Sequence, residues 1–440
     1  MSGRAPAIAG LVLGAATAAA FMIGSGRSFG FDAAATFANF VATPSIWDAF
    51  AVHTVLPSVP LKYVATNDHV LISLLSHLIY SATGSRSEVA YRLIPALAGG
   101  ATVGLATGAL ARRFGIVAGV SAGLFIATDP LFVDNSRDLR GYSLAAVGSV
   151  VATLILAGRW TRWRLVAYAV VMGLAISAHV FAGVVLLAHA AWILSRRSRP
   201  QLKQLAPAWL CAGAIGVAAN ANIQLVEITQ HGLPPSLFYP TFPRDLVFFL
   251  VGAPVLLPLG LWLSATALGL FVLRDRVWLW AMVATVAAVV AVLWLGPQPA
   301  YLYPRFFIFL VPGCAFLMAA AVQRWKVLAP LVVLGAVVAA VSQANGYTED
   351  PLALPQAAAA IEQVRAGGGR ACVIASDQGV MAAYTTDFTV VSTADQLAGC
   401  DAVVVVSWNV DLRLRDLAAS EFPRATVLPA AYPAVVLRRA

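Results

Sequence analysis

L-V-A-Y-A-V-V-M-G-L-A-I-S-A-H-V-F-A-G-V-V-L-L-A-H-A-A-W-I-L, residues 165–194, lies between R-W-T-R-W-R (159–164) and S-R-R-S-R (195–199). As a single helix it would be about 45 Å long, against a hydrocarbon core of about 30 Å. Lysines and arginines in short loops mark the cytoplasmic side of a membrane protein. With both basic flanks on that side, the segment must cross twice, as two short helices turning near Ser177-Ala178-His179.

The rest of the chain follows from that turn. Hydrophobic residues make up 60% of 440 and charged residues only 11%, whereas a globular domain is roughly half apolar. Further apolar runs fall at 7–24, 88–110, 115–133, 143–158, 205–225, 250–273, 277–296, 305–322 and 327–345. Counting the hairpin as two gives about eleven crossings, with the N-terminus inside and the C-terminus outside. The charges agree. Arg4, Arg112, Arg113, Arg159, Arg162, Arg164, Arg196, Arg197, Arg199, Lys203, Arg274, Arg276, Arg324 and Lys326 fall inside, and Asp275 is the sole acid there. The net charge of +9 therefore reflects topology and not nucleic-acid binding, since the basic residues are dispersed among loops. A cleaved signal peptide is the alternative for the first helix, because Ala18-Ala19-Ala20 permits cleavage.

The spans define a membrane domain over 1–345, with an outer loop at 25–87. Within that loop, His69, Ser73, Ser76, His77 and Tyr80 recur at helical spacing and leave the leucines on the other face. This predicts a helix lying in the membrane interface. Residues 346–440 change character: A-C-V-I-A (371–375) and A-V-V-V-V-S (402–407) read as buried strands, alternating with helices near 355–366 and 411–419. A small extracytoplasmic α/β domain is expected. Cys372 and Cys400 lie in it and can pair if it is outside the cytoplasm, whereas Cys211 and Cys314 sit in apolar runs.

Polar residues gather on the outer face. N-S-R-D-L-R-G-Y-S (135–143) packs three charges between two apolar runs. Asp32 follows the first helix, Asn67-Asp68-His69 opens the interfacial helix, His179 marks the hairpin turn and Arg305 begins a late span. A transporter would instead place ionisable groups near the bilayer midplane.

These positions carry a family resemblance. R-S-F-G-F-D-A-A-A-T (27–36), N-D-H-V-L-I-S-L-L (67–75), E-V-A-Y-R-L-I-P-A-L (88–97), S-R-D-L-R-G-Y-S (136–143) and Y-P-R-F-F-I-F-L-V-P (303–312) stand in the family's order. Together they resemble the lipid-linked-sugar glycosyltransferases of the GT-C fold, the protein O-mannosyltransferase and aminoarabinose-transferase group. One departure is clear: the glutamate that usually follows the aspartate is Ala33. That weakens an acidic metal-binding pair and leaves Asp32 alone in its motif.

The resemblance implies a polyprenyl-phosphate sugar donor and an acceptor hydroxyl on a cell-envelope glycan, lipid or protein, at a bacterial plasma membrane. It requires no cofactor; a divalent metal shared by the histidines with Asp32 or Asp68 is a subordinate reading. Asp32 is the candidate general base, with a helix cap as its bland alternative. Arg140 is the first candidate for the donor phosphate, because its guanidinium offers a bidentate fork. Arg305 is the second, against snorkelling to the headgroups. Asp138, Asp68, His69, His179 and Tyr142 are candidate substrate contacts, although Tyr142, Tyr301 and Tyr303 read first as an aromatic belt. Arg137 reads as an interfacial anchor, and His77 and His189 as structural. A transporter or lipid flippase is the competing class, and a catalytically inactive scaffold the third.

Overall fold

The computed structural model describes residues 4–50, 68–195, 199–229, 240–252, 255–295, 302–344, 350, 352–375, 378–406, 412–428 and 434–439. Asn67, Tyr301 and the basic Arg196-Arg197 lie outside them. The chain divides into two units. One comprises Met1–Ile23, Leu93–Ala221 and His231–Ala344; the other comprises Gly24–Arg92, Asn222–Gln230 and Asn345–Ala440.

The first unit is built of helices. Among the described residues of the whole chain, Arg4–Phe21, Glu88–Phe114, Val277–Leu295 and Pro304–Arg324 are long and apolar enough to cross a bilayer. Shorter apolar helices include Ile116–Thr128, Tyr142–Ala157, Leu256–Val272 and Leu328–Gln343. In Val277–Leu295 the one buried residue is Leu279. Leu11 and Val292 are 74% and 71% exposed. Each such side chain would lose about 25 cal/mol per Å² of apolar area left in water, so the solvent for these faces is hydrocarbon. The protein is a polytopic α-helical membrane protein with a small C-terminal sheet.

One apolar run divides where a turn is expected, and two expected spans are interrupted. The run at 165–194 divides at His179: one helix ends at Ala178, a 3₁₀ turn covers Val180–Ala182, and the next runs Gly183–Ser195. His179 has φ −160° and ψ 121°, an extended residue that ends the helix where the length of the run and its basic flanks predict a turn. The run at 250–273 is not one helix. Phe242–Leu250 ends before Gly252, whose φ of +101° suits glycine alone, and an added Cβ there would meet the Trp262 ring at 2.4 Å. Leu256–Val272 follows. The run at 305–322 opens as a 3₁₀ segment, Pro304–Leu310, kinked at Phe307, before the α-helix Val311–Arg324. Pro312 sits in the first turn of that helix, where its missing N–H leaves no intrahelical hydrogen bond unmade.

Glycines bring two spans into contact. Gly10 and Gly14 face Gly100, Gly104 and Gly108 at four-residue spacing on each helix. A Cβ on Gly14 would lie 2.7 Å from the Gly100 carbonyl oxygen, and one on Gly100 would lie 2.6 Å from that of Gly14. Small residues let helix backbones approach in lipid, where the hydrophobic effect does not drive helices together.

In the second unit, Phe31–Thr36 is a short helix that passes into a π turn, Phe37–Val41. The predicted interfacial helix runs Val70–Thr83. Its Ser73, Ser76 and His77 are buried, while Leu71, Leu74 and Leu75 are half-buried and Leu78 is 54% exposed, so its polar face turns inward. His77 Nδ1 lies 3.0 Å from the Val41 carbonyl and Nε2 lies 2.9 Å from Ser81 Oγ, a structural role.

Five strands form the C-terminal sheet: β1 (Ala371–Ile374), β2 (Thr389–Val391), β3 (Ala402–Val406), β4 (Arg424–Leu428) and β5 (Ala434–Arg438). Their order is β2-β1-β3-β5-β4. β1 lies parallel to β2 and β3, with Cys372 opposite Val403, while β5 is antiparallel to β3 and β4. Helices Leu354–Ala366 and Leu412–Glu421 accompany the sheet. Cys372 and Cys400 form a disulfide, Cα–Cα 6.0 Å, inside the core shared with Ile374, Leu397, Val405 and Phe422.

Gly14→Leu forces a side chain into the Gly100 backbone, and overpacking of this kind costs about 1–3 kcal/mol. We expect a lower melting temperature in detergent, with Gly30→Ala, at an open position, as the benign control.

Candidate functional site

The stretch 129–143 folds by local rules. Asp129 caps the helix Pro130–Asn135, its Oδ1 accepting from the Phe132 N–H at 3.0 Å, with Pro130 in the first turn. The chain leaves the helix at Ser136, bends through Gly141 and enters the helix Tyr142–Ala157. Within the bend, Asp138 accepts from the Leu139 N–H at 3.0 Å and the Arg140 N–H donates to the Asp138 carbonyl at 2.7 Å. Leu139 is fully buried and pins the bend.

The two arginines of this bend face different surroundings. Arg137 is buried, its Nε donating to the Phe21 carbonyl at 3.2 Å and its Nη2 to the Ile23 carbonyl. It is not the interfacial anchor its sequence suggested. It occupies carbonyls at the end of the first helix that have no partner within that helix.

Arg140, also buried, lies 5.7 Å from the centre of the Tyr142 ring. Tyr142 packs against His179 at 4.9 Å and Phe306 at 6.3 Å, and His179 lies 5.2 Å from Phe306. Arg305 sits 4.9 Å from the Tyr303 ring and 6.0 Å from that of Phe306. The charges of both Arg140 and Arg305 act on the His179 imidazole. Four residues singled out from sequence, Arg140, Tyr142, His179 and Arg305, thus meet in one nest of rings and guanidinium groups. Tyr142 is buried there and not in an aromatic belt, because the Arg140 bend turns it inward. Phe306 and Phe181, stacked at 5.2 Å, complete the nest; sequence reasoning passed over them as ordinary apolar residues.

His189 accounts for itself structurally, with Tyr168 Oη 3.0 Å from Nδ1 and Thr153 Oγ1 3.0 Å from Nε2.

Asp32 lies in the second unit, in the first turn of Phe31–Thr36, half-buried, at the end of a helix whose partial positive charge favours a carboxylate. The residue after it, Ala33, is completely buried. Asp68 and His69, both buried, precede the helix Val70–Thr83, and Ser73 Oγ donates to Asp68 Oδ1 at 2.9 Å. Among the described residues, no group of three or more His, Cys, Asp or Glu side chains is disposed to hold a metal ion.

The loop ahead of Asp32 is held by a residue that sequence reasoning left without a role. Arg92 is buried, and its two terminal nitrogens donate to the carbonyls of Ser25 (2.7 Å), Arg27 and Ser28 (2.6 Å). Its guanidinium carbon also lies 5.5 Å from the Phe29 ring centre. The arginine inside the apolar E-V-A-Y-R-L-I-P-A-L was the available signal, since a cation in such a run needs a dedicated set of acceptors.

No family model matches the chain, and no curated protein matches it by sequence. Solved structures do match. ArnT from Cupriavidus metallidurans in the apo state aligns over 97% of this chain and 97% of its own, with a TM-score of 0.61 and 15% identity. The same protein bound to undecaprenyl phosphate gives the same coverage and identity with a TM-score of 0.60. The chain has the ArnT fold. That architecture is the polytopic GT-C membrane fold expected from the five motifs.

Arg137→Ala removes charge-assisted hydrogen bonds to two carbonyls, worth about 1.5–3 kcal/mol. We expect lower thermal stability from it, whereas Arg112→Ala, at an exposed position, should lose far less. Paired melting curves in one detergent decide this.

Proposed function

We propose that this protein is an inverting membrane glycosyltransferase that moves a sugar from a polyprenyl-phosphate donor to an acceptor hydroxyl at the extracytoplasmic face. The observation that carries the proposal is the approach of Arg140 and Arg305 to one aromatic nest in a chain with the ArnT fold. Two guanidinium groups beside one buried ring suit a divalent anion flanked by an apolar ligand. A polyprenyl phosphate has that chemistry, and undecaprenyl phosphate is the ligand bound in the ArnT structure.

The acceptor oxygen attacks the anomeric carbon as the bond from that carbon to the phosphate oxygen breaks. The proton of the hydroxyl passes to Asp32, and the electron pair leaves with the polyprenyl phosphate. Arg140 and Arg305 stabilise the charge that grows on it. A direct displacement inverts the anomeric centre. Tyr142 and His179 supply apolar and polar edges for the donor, while Asp138, Asp68 and His69 are assigned to substrate hydroxyls. No step needs a metal.

The proposed topology sets the N-terminus in the cytoplasm and residues 346–440 outside, appended to a catalytic membrane domain over 1–345. The Cys372–Cys400 disulfide supports an oxidising compartment for the tail.

Purified protein in proteoliposomes, given a polyprenyl-phosphate sugar and an envelope acceptor, tests the reading. Transfer of sugar without movement of labelled lipid across the bilayer is the expected result; movement without transfer makes the chain a flippase. Asp32→Asn should lower kcat about 10²–10⁴-fold with folding intact, the range of a general base. Full turnover in that variant removes Asp32 from the base role. Arg140→Ala should cost on the order of 10²-fold. Arg140→Lys should restore only part of it, because an ammonium lacks the bidentate fork.

A further inference from the structure

The loop that ends at Asp32 is tied down by the C-terminal tail, and these ties lie within one unit. Asp350 accepts the Ser28 hydroxyl, receives the Ser28 N–H at 3.4 Å on Oδ2, and takes the N–H groups of Leu352 and Ala353 on Oδ1, each at 3.1 Å. Ser28 Oγ in turn accepts from the Leu354 N–H at 3.1 Å. Beside it, the Phe29 N–H donates to the Tyr384 hydroxyl at 2.7 Å, and that hydroxyl lies within hydrogen-bonding reach of the Glu88 carboxyl. Arg86 donates to the Ala383 carbonyl at 2.8 Å, fixing the segment that carries Tyr384. With the three Arg92 bonds, every residue from Ser25 to Phe29 except Gly26 has a backbone group held from a distant part of the chain.

Ala353 has φ +50°, the one non-glycine residue in the left-handed region among those described. Such a conformation persists where its surroundings fix it. Here the Asp350 carboxylate binds its N–H, and the helix Leu354–Ala366 begins directly after it. Burial and the neighbouring Glu88 carboxyl push the Tyr384 phenol well above its ordinary value, so it stays a neutral donor and acceptor.

We infer that Asp350 and Tyr384 are positioning residues for Asp32: the tail is the clamp that sets the angle at which the carboxylate is presented. The inference rests on Asp32 being the base. It gives the C-terminal segment a role in turnover.

Three variants of the full-length protein in proteoliposomes test it. Tyr384→Phe deprives the Phe29 N–H of its acceptor. Asp350→Ala removes the Ser28 tie and the turn around Ala353. Asp350→Asn keeps the Oδ1 acceptor and loses only the charge and the long Ser28 N–H contact. If placement is what the clamp supplies, kcat falls about tenfold or more in the first two, since small misplacements cost up to about 10²-fold. The donor KM stays within about twofold, and Asp350→Asn recovers most of the turnover. The Cys372–Cys400 disulfide and resistance to protease should be as in the parent.

Unchanged kcat in Tyr384→Phe and Asp350→Ala overturns the inference while leaving the base assignment standing. Loss of kcat accompanied by loss of protease resistance also overturns it, because the tail is then structural only. If Asp32→Asn turns over normally, the base reading fails and the positioning role fails with it.

Discussion

A guanidinium withdrawn from water must be given back the hydrogen bonds and charge it had there, and among the described residues three arginines are almost wholly buried. Arg92, Arg137 and Arg140 are 2%, 3% and 3% exposed. Leaving such a charge uncompensated costs several kcal/mol, so each one dictates the structure around it. Arg92 gathers three carbonyls and thereby shapes the loop before Asp32. Arg137 takes the carbonyls at the end of the first helix and fixes where the 136–141 bend begins. Arg140, three residues on, is carried by that bend to the rings of Tyr142 and His179. Two buried cations are spent on architecture, and the third stands where a second cation, Arg305, shares its neighbour.

That division of labour explains why the motif is not helical. On a regular helix Arg137 and Arg140, three residues apart, would share one face. The Asp138 side chain and carbonyl close a tight bend between them, and Leu139 anchors it from the apolar side. Exchanging the two arginine environments would require unwinding either the end of the first helix or the start of Tyr142–Ala157. The site therefore depends on a tie made 116 residues away in sequence.

What could be read from the amino-acid order was what repeats locally. Apolar runs gave the helices, and the serine and histidine spacing gave the inward polar face of Val70–Thr83. The length of the run at 165–194 and its basic flanks gave the break near His179. A-C-V-I and A-V-V-V-V announced the two central strands by continuous burial. β4 escaped notice because it lies at the edge of the sheet and is almost wholly exposed, so R-A-T-V-L carries no apolar run. The break near Gly252 was hidden because one glycine in an apolar stretch looks like any other until Trp262 stands against it. Candidate site residues were legible where they were charges out of place. The sequence set Arg137 apart from Arg140, but the carbonyls that Arg137 holds were not legible, because they lie more than a hundred residues away. The Ser28–Asp350 tie spans 322 residues and has no local periodicity to betray it.

The missing glutamate looks different once its position is known. Ala33 is buried with no exposed surface, as are Ala34 and Phe37 on the same short stretch. A carboxylate at that position would lie in the apolar core of the loop, beneath Asp32 instead of beside it, and would need its own partners. The alanine is therefore a packing residue in this chain, and its presence is no sign that a catalytic surface has decayed. A lone carboxylate is also chemically sufficient on the proposed reading. A lipid phosphate leaves without protonation when cations receive it, so the reaction has one proton to place and needs one base. What the single carboxylate then requires is accurate presentation, and the ties made by Arg92, Tyr384 and Asp350 on the residues just before it are of the kind that would supply it.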